Sequence, residues 1–170
     1  MTTKSVAAEF ARIADRYIAS PPERYQTDDT GAIRHDFSQG FFDGFTSPGS
    51  QPSSPHNACY FGFLAGQEFR LAHPHDEATV MHCYGFTTVA LHGRLFFGPE
   101  CGFAPDTHPD ARWEIADPAM PILGWPAPPD RVDGMIVTLS GYLSPERYSA
   151  ARFLGDRKIF ARKVRIGNGP

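Results

Sequence analysis

Hydrophobic and polar residues follow two different periods along this chain, and the change divides it in two. In residues 4–19, Val6, Phe10, Ile13, Ala14, Tyr17 and Ile18 recur three and four apart. That is the spacing of one helix face, and Pro21 and Pro22 end it. Residues 22–35 are polar and turn-rich and read as a surface loop. Two helices should follow. Asp36, with Gln39 three residues on, forms a capping box for the first. Ser54 and Pro55 supply an N-cap and a first-turn proline for the second, over roughly 55–71. Both carry Gly-Phe-x-x-Gly, at 40–44 and 62–66. Small residues four apart on a helix allow another backbone to come close. Tyr60, Phe61, Phe63, Leu64, Phe69 and Leu71 make the second helix apolar almost all round, so burial on more than one side is expected. The Ser/Pro/Gly-rich stretch 47–54 reads as a mobile loop.

From residue 78 the period becomes two. Val89, Leu91, Leu95 and Phe97 face one way and His92 and Arg94 the other. Residues 135–143 repeat the alternation. The two runs align as Val-x-Leu-x-Gly-x-Leu at 89–95 and 137–143. A glycine inside a strand marks a bend, a bulge or a close backbone approach. Residues 112–115 read as a short strand and 158–166 as a last one, after a Gly155-Asp156 turn. Seven prolines make 103–129 mostly irregular.

This order of strands resembles the OB-fold, a small Greek-key barrel. The resemblance covers about residues 85–166 and implies bends at Gly93 and Gly141. The connection from 97 to 134 is long for that family. The expected class is α+β: helices over 1–77 packed on an antiparallel, OB-like barrel over 78–170, together one compact unit.

Composition narrows the function. The net charge is −3, but residues 146–170 carry seven Lys/Arg against two acids. Such asymmetry fits an anionic partner at one end, or pairing with the acidic remainder of the fold. Cys59, Cys83 and Cys101 are odd in number and lack a Cys-x-x-Cys spacing, as in a reduced, cytoplasmic protein. Charged residues interrupt the N-terminus, so no secretory signal is expected, and no apolar run is long enough to span a membrane.

No nucleophile elbow, phosphate-binding loop or dinucleotide fingerprint is present, so neither a catalytic residue nor a cofactor is assigned. His73, His75 and His82, with Asp76 and Glu77 nearby, form the densest set of metal-ligand residue types. Their spacing matches no established zinc pattern, and loop histidines explain them as well. A basic and aromatic set could hold a partner: His92, Arg94, Tyr142, Arg157, Lys158, Phe160, Arg162 and Lys163. Rings and cations interleaved in this way suit single-stranded nucleic acid, although the net negative charge opposes a long polyanion. The leading expectation is a non-enzymatic protein-recognition module, of the small bacterial inhibitor, immunity or adaptor type. Single-stranded nucleic-acid binding comes second, and a metal-dependent enzyme using the three histidines third.

Overall fold

The computed structural model describes residues 2–19, 30–47, 57–96, 101–116, 122–125, 134–145 and 157–167. The chain divides into two compact units, Met1–Tyr84 and Gly85–Pro170. The first holds helices α1 (Thr3–Ala19), α2 (Thr30–Thr46), α3 (Ala58–Ala72) and α4 (Glu77–Cys83). The second holds strands β1 (Thr87–Phe96), β2 (Gly102–Pro105), β3 (Trp113–Ile115), β4 (Ile136–Leu143) and β5 (Lys158–Ile166).

Helix α1 follows its apolar stripe: Val6 and Ala14 are buried, and Phe10, Ile13, Tyr17 and Ile18 pack beside them. Helix α2 begins earlier than the capping pattern implies. Ile33, Phe37, Phe41 and Phe45 form one buried row at four-residue steps, and that row extends the helix back through the polar stretch. Asp36 is therefore an exposed residue inside the helix and not its cap, and the Gln39 amide donates to Asp43.

Helix α3 begins at Ala58, later than expected, because the Asn57 side chain accepts from the Tyr60 N–H at 2.9 Å. Ser54 and Pro55 lie outside the described residues, as do Pro21, Pro22 and the Gly155-Asp156 turn. One stripe of α3 is buried, through Ala58, Gly62, Phe63, Gly66 and Phe69, while Leu64 and Leu71 are exposed. Burial on several sides is thus not what its composition delivers.

The paired glycines explain how α2 and α3 meet. A Cβ on Gly40 would lie 1.9 Å from the Cys59 carbonyl, and one on Gly44 would lie 2.0 Å from that of Phe63. Reciprocally, Gly62 and Gly66 sit against the carbonyls of Phe37 and Phe41. Contacts advance together along both helices, so the pair is parallel and the two motifs interlock.

His73 ends α3 by donating its backbone N–H to Phe69, and Asp76 stands at the N-terminus of α4. The His73–Glu77 stretch therefore joins two helices, where a helix-to-strand loop was expected. Strand alternation starts at Thr87 and not at 78. Tyr84 closes the unit by donating its hydroxyl to the Ser38 carbonyl at 2.9 Å.

The barrel is closed, in the order β1-β2-β3-β5-β4 and back to β1. Four of its pairings are antiparallel, but β3 runs parallel to β5, which corrects the all-antiparallel expectation. Strand β2 overlaps the start of the proline-rich stretch that reads as irregular. It has four residues and ends at Pro105, too few for a period to show. Where β3 stops, Leu123 bridges to Lys163, so the edge of β5 stays covered. Leu95, Phe103, Trp113, Ile115, Val137, Leu139, Ile159 and Val164 fill the interior. The two glycine motifs pair with each other, Val89 opposite Gly141 and Gly93 opposite Val137. A Cβ on Gly93 would meet the Ala104 carbonyl at 2.2 Å, and one on Gly141 would meet that of Phe160 at 2.2 Å.

Gly62→Ala isolates the role of close helix approach. Helix propensity alone would stabilise by about 1 kcal/mol. Overpacking against the α2 backbone should outweigh that, for a net loss of about 1–3 kcal/mol. Urea unfolding of the variant checks the sign, with exposed Glu68→Ala near neutral as control.

Candidate binding face

Strand register places the outward side chains in rows. The inward positions Leu95, Val137, Leu139 and Val164 belong to the core, so their sequence neighbours point outward. Across β1, β4 and β5 the rows are Arg94–Ile136, His92–Thr138–Arg165 and Ala90–Ser140–Lys163. Neighbouring strands stand about 4.8 Å apart, so this is one continuous face. It presents cations and hydroxyls, with Ile136 partly exposed at its margin.

A register shift between Ser140 and Gly141 adds one residue to β5. Lys163 pairs with Ser140 and Ala161 with Gly141, and Arg162 is the extra residue. Its guanidinium lies over the Tyr142 ring, 5.9 Å from the centroid. The bulge thus brings Arg162 and Lys163 beside the same face, where strict alternation would separate them.

Arg94, Lys163 and Arg165 have no carboxylate within ion-pair distance among the described residues. The nearby acids are already engaged, Asp106 by His92 on the face itself and Glu114 away from it. Asp106 accepts from His92 Nδ1 at 2.5 Å, and its own N–H donates to the His92 carbonyl. Glu114, on β3, pairs with Lys158 at 3.4 Å, both side chains being largely buried.

The sequence-derived set therefore separates. His92, Arg94, Tyr142, Arg162 and Lys163 share the face. Arg157 does not: its guanidinium donates to the Ser144 carbonyl at 3.0 and 2.7 Å and lies over Trp113. Lys158 holds Glu114, and Phe160 is buried against Phe86. These three hold the barrel together. Arg165, Thr138 and Ser140 are missing from the sequence-derived set, and the signal for them was available, since they share the alternation of residues already chosen.

No family model matches this chain, and no curated protein or solved structure is significantly similar to it.

Among the described residues, no group of three or more His, Cys, Asp or Glu is arranged to hold a metal ion. His73 stacks on Phe69 at 4.4 Å and stands 3.5 Å from Asp76. His75 is exposed in the turn and His82 lies in the last turn of α4. No described helix is long and apolar enough to cross a membrane.

The three cysteines are thiols and form no disulfide. Burial raises all of them, and Cys101, beside the barrel core, is pushed up to about 11. The thiolate is the reactive form. Iodoacetamide at about pH 8 should therefore label exposed Cys83 first and Cys101 last, the latter slower by about tenfold or more. Peptide mass spectrometry over time reads the order.

Proposed function

We propose that this chain is a non-enzymatic binding protein whose barrel, of the OB type, recognises an acidic protein surface through the outer face of β1, β4 and β5. One observation carries the reading: Arg94, Lys163 and Arg165 share that face with no carboxylate within ion-pair distance of them among the described residues, while Asp106 is held by His92. The strand order with one parallel pair supports the OB type, as do Gly93 and Gly141 at corresponding places on β1 and β4. Fold does not choose the ligand; the chemistry of the face does. Cations, hydroxyls and the partly exposed Ile136 fit the mixed character of a protein interface. An inhibitor, immunity or adaptor role belongs to this reading.

Single-stranded nucleic acid is the second reading, favoured by Arg162 over Tyr142. Stacking needs accessible rings. Phe160 is buried and Tyr142 only half accessible, which puts this reading behind the first.

The triple variant Arg94→Glu, Lys163→Glu and Arg165→Glu separates the two. Arg94 and Arg165 are exposed and Lys163 is half-buried, so the melting temperature should change little. A partner isolated with the wild-type chain, then purified and titrated directly, should bind the variant at least about tenfold more weakly. A labelled single-stranded 20-mer should bind neither form at moderate salt. Tight, steeply salt-dependent oligonucleotide binding lost in the variant would put nucleic acid first. Unchanged affinity for the purified partner would remove this face from the proposal.

A further inference from the structure

Residues 122–125 add a short ribbon beside β5. Leu123 donates its N–H to the Arg162 carbonyl at 3.1 Å, and its own carbonyl accepts from Val164 at 2.8 Å. Those two bonds pair Leu123 with Lys163 in parallel. The Trp125 N–H returns to the Ile122 carbonyl at 3.1 Å, so the ribbon closes as a turn. Gly124 has a φ of +77° and Leu123 does not have a positive φ, the pattern of a type II turn with Leu123 at its corner. A Cβ on Gly124 would lie 2.3 Å from the Val164 carbonyl, so glycine lets the turn close onto β5.

Register decides where the Leu123 side chain points. Val164 belongs to the core, so Lys163 before it points outward. Ile122 also belongs to the core, and Leu123 after it points outward in the same way. Leu123 therefore stands on the outer face beside Lys163, about 4.8 Å across, and it is 66% exposed.

A single exposed leucine is ordinary, but the surroundings of this one are specific. Lys163 is its neighbour, and exposed Arg165 follows about 7 Å further along β5. Neither cation has a carboxylate within ion-pair distance among the described residues. Ser140 and Thr138 stand opposite them on β4 and add hydroxyl donors. Two backbone hydrogen bonds already hold Leu123, so covering its side chain orders little that is not ordered beforehand.

Resting on the proposed function, we propose that Leu123, Lys163 and Arg165 form one docking point, which takes a segment of the acidic partner that sets a large apolar side chain among Asp and Glu. Charge complementarity selects the acids, since each cation gains a carboxylate against no internal competitor. Leu123 selects the apolar group, because contact takes both out of water. A purely acidic segment would leave Leu123 exposed. A purely apolar one would strand two cations in a dry contact.

Two short fluorescein-labelled peptides of equal charge test this, one alternating Glu with Leu and its twin with Ser for every Leu. In anisotropy titrations the Leu peptide should bind the full chain about fivefold to tenfold more tightly than its twin. Leu123→Ser should erase that preference without weakening the Ser peptide, and Leu123→Met should retain it. Lys163→Glu with Arg165→Glu should weaken both peptides. Equal binding of the two peptides by the wild-type chain would overturn the inference, as would a preference that survives Leu123→Ser, or no binding of the Leu peptide. If both peptides bind equally and both are lost on charge reversal, acid recognition by the face stands and only the apolar contact fails. If charge reversal changes neither, the proposed face itself fails, and the inference with it.

Discussion

The antiparallel ladder between β1 and β4 fixes which side chains lie inside the barrel and which lie outside. A slip of one residue would carry Leu91, Leu95, Val137 and Leu139 to the solvent face and draw Arg94 and Thr138 inward. Two features hold the register. The apolar sets of both strands must reach one core. The glycine of each motif sits opposite the valine of the other, and on its far side each meets a second backbone with no room for a Cβ, Gly93 that of Ala104 on β2 and Gly141 that of Phe160 on β5. The outer face is the complement of that inner arrangement, so its chemistry is set by packing on the reverse side.

Long, repeated patterns were legible in the sequence; among the short strands, β3 was read at 112–115 and β2 was not. Strands β1, β4 and β5 each hold eight to ten residues, enough for alternation to show. β2 has four and β3 three. They persist because neighbours on both sides supply their hydrogen bonds, which no local pattern records. The parallel pairing of β3 with β5 is likewise a property of closure. In the helical unit, polar residues at 30–36 hid the start of α2. Ile33, one step before Phe37 on the same row, was the only apolar sign of it. α4 is a seven-residue helix whose polar surroundings resemble a loop. The outward face was half legible, because alternation placed His92 and Arg94 on it and the interleaving of rings with cations added Tyr142, which the register puts beside them. Charge alone brought in Arg157 and Lys158, whose roles depend on the tertiary partners Ser144 and Glu114.

In each unit glycine allows contacts that side chains then exploit. Between α2 and α3 the four glycines admit the opposing backbone, and the phenylalanines beside them fill the space around it. Phe41 meets Phe10 edge-on at 5.0 Å and Phe69 at 5.5 Å. In the first unit the phenylalanines of α2 and α3 are thus largely interior residues.

Charge in the barrel unit is sorted by environment. Lys158 and Glu114 are largely buried and paired, as desolvation requires, since removing one partner would leave the other uncompensated. Lys163 and Arg165 lie two apart on a strand, about 7 Å. In water their repulsion is of order 0.6 kcal/mol before salt screens it. Stability therefore neither requires a carboxylate beside them nor suffers much without one. What the arrangement changes is the field outside the molecule. Residues 85–170 carry ten Lys/Arg against nine Asp/Glu, while residues 1–84 carry six against ten. A cationic face on a chain with net negative charge attracts an anionic surface locally and repels an extended polyanion at longer range. Under the proposed function, such a field would favour a compact acidic patch on a folded partner over a long nucleic-acid strand.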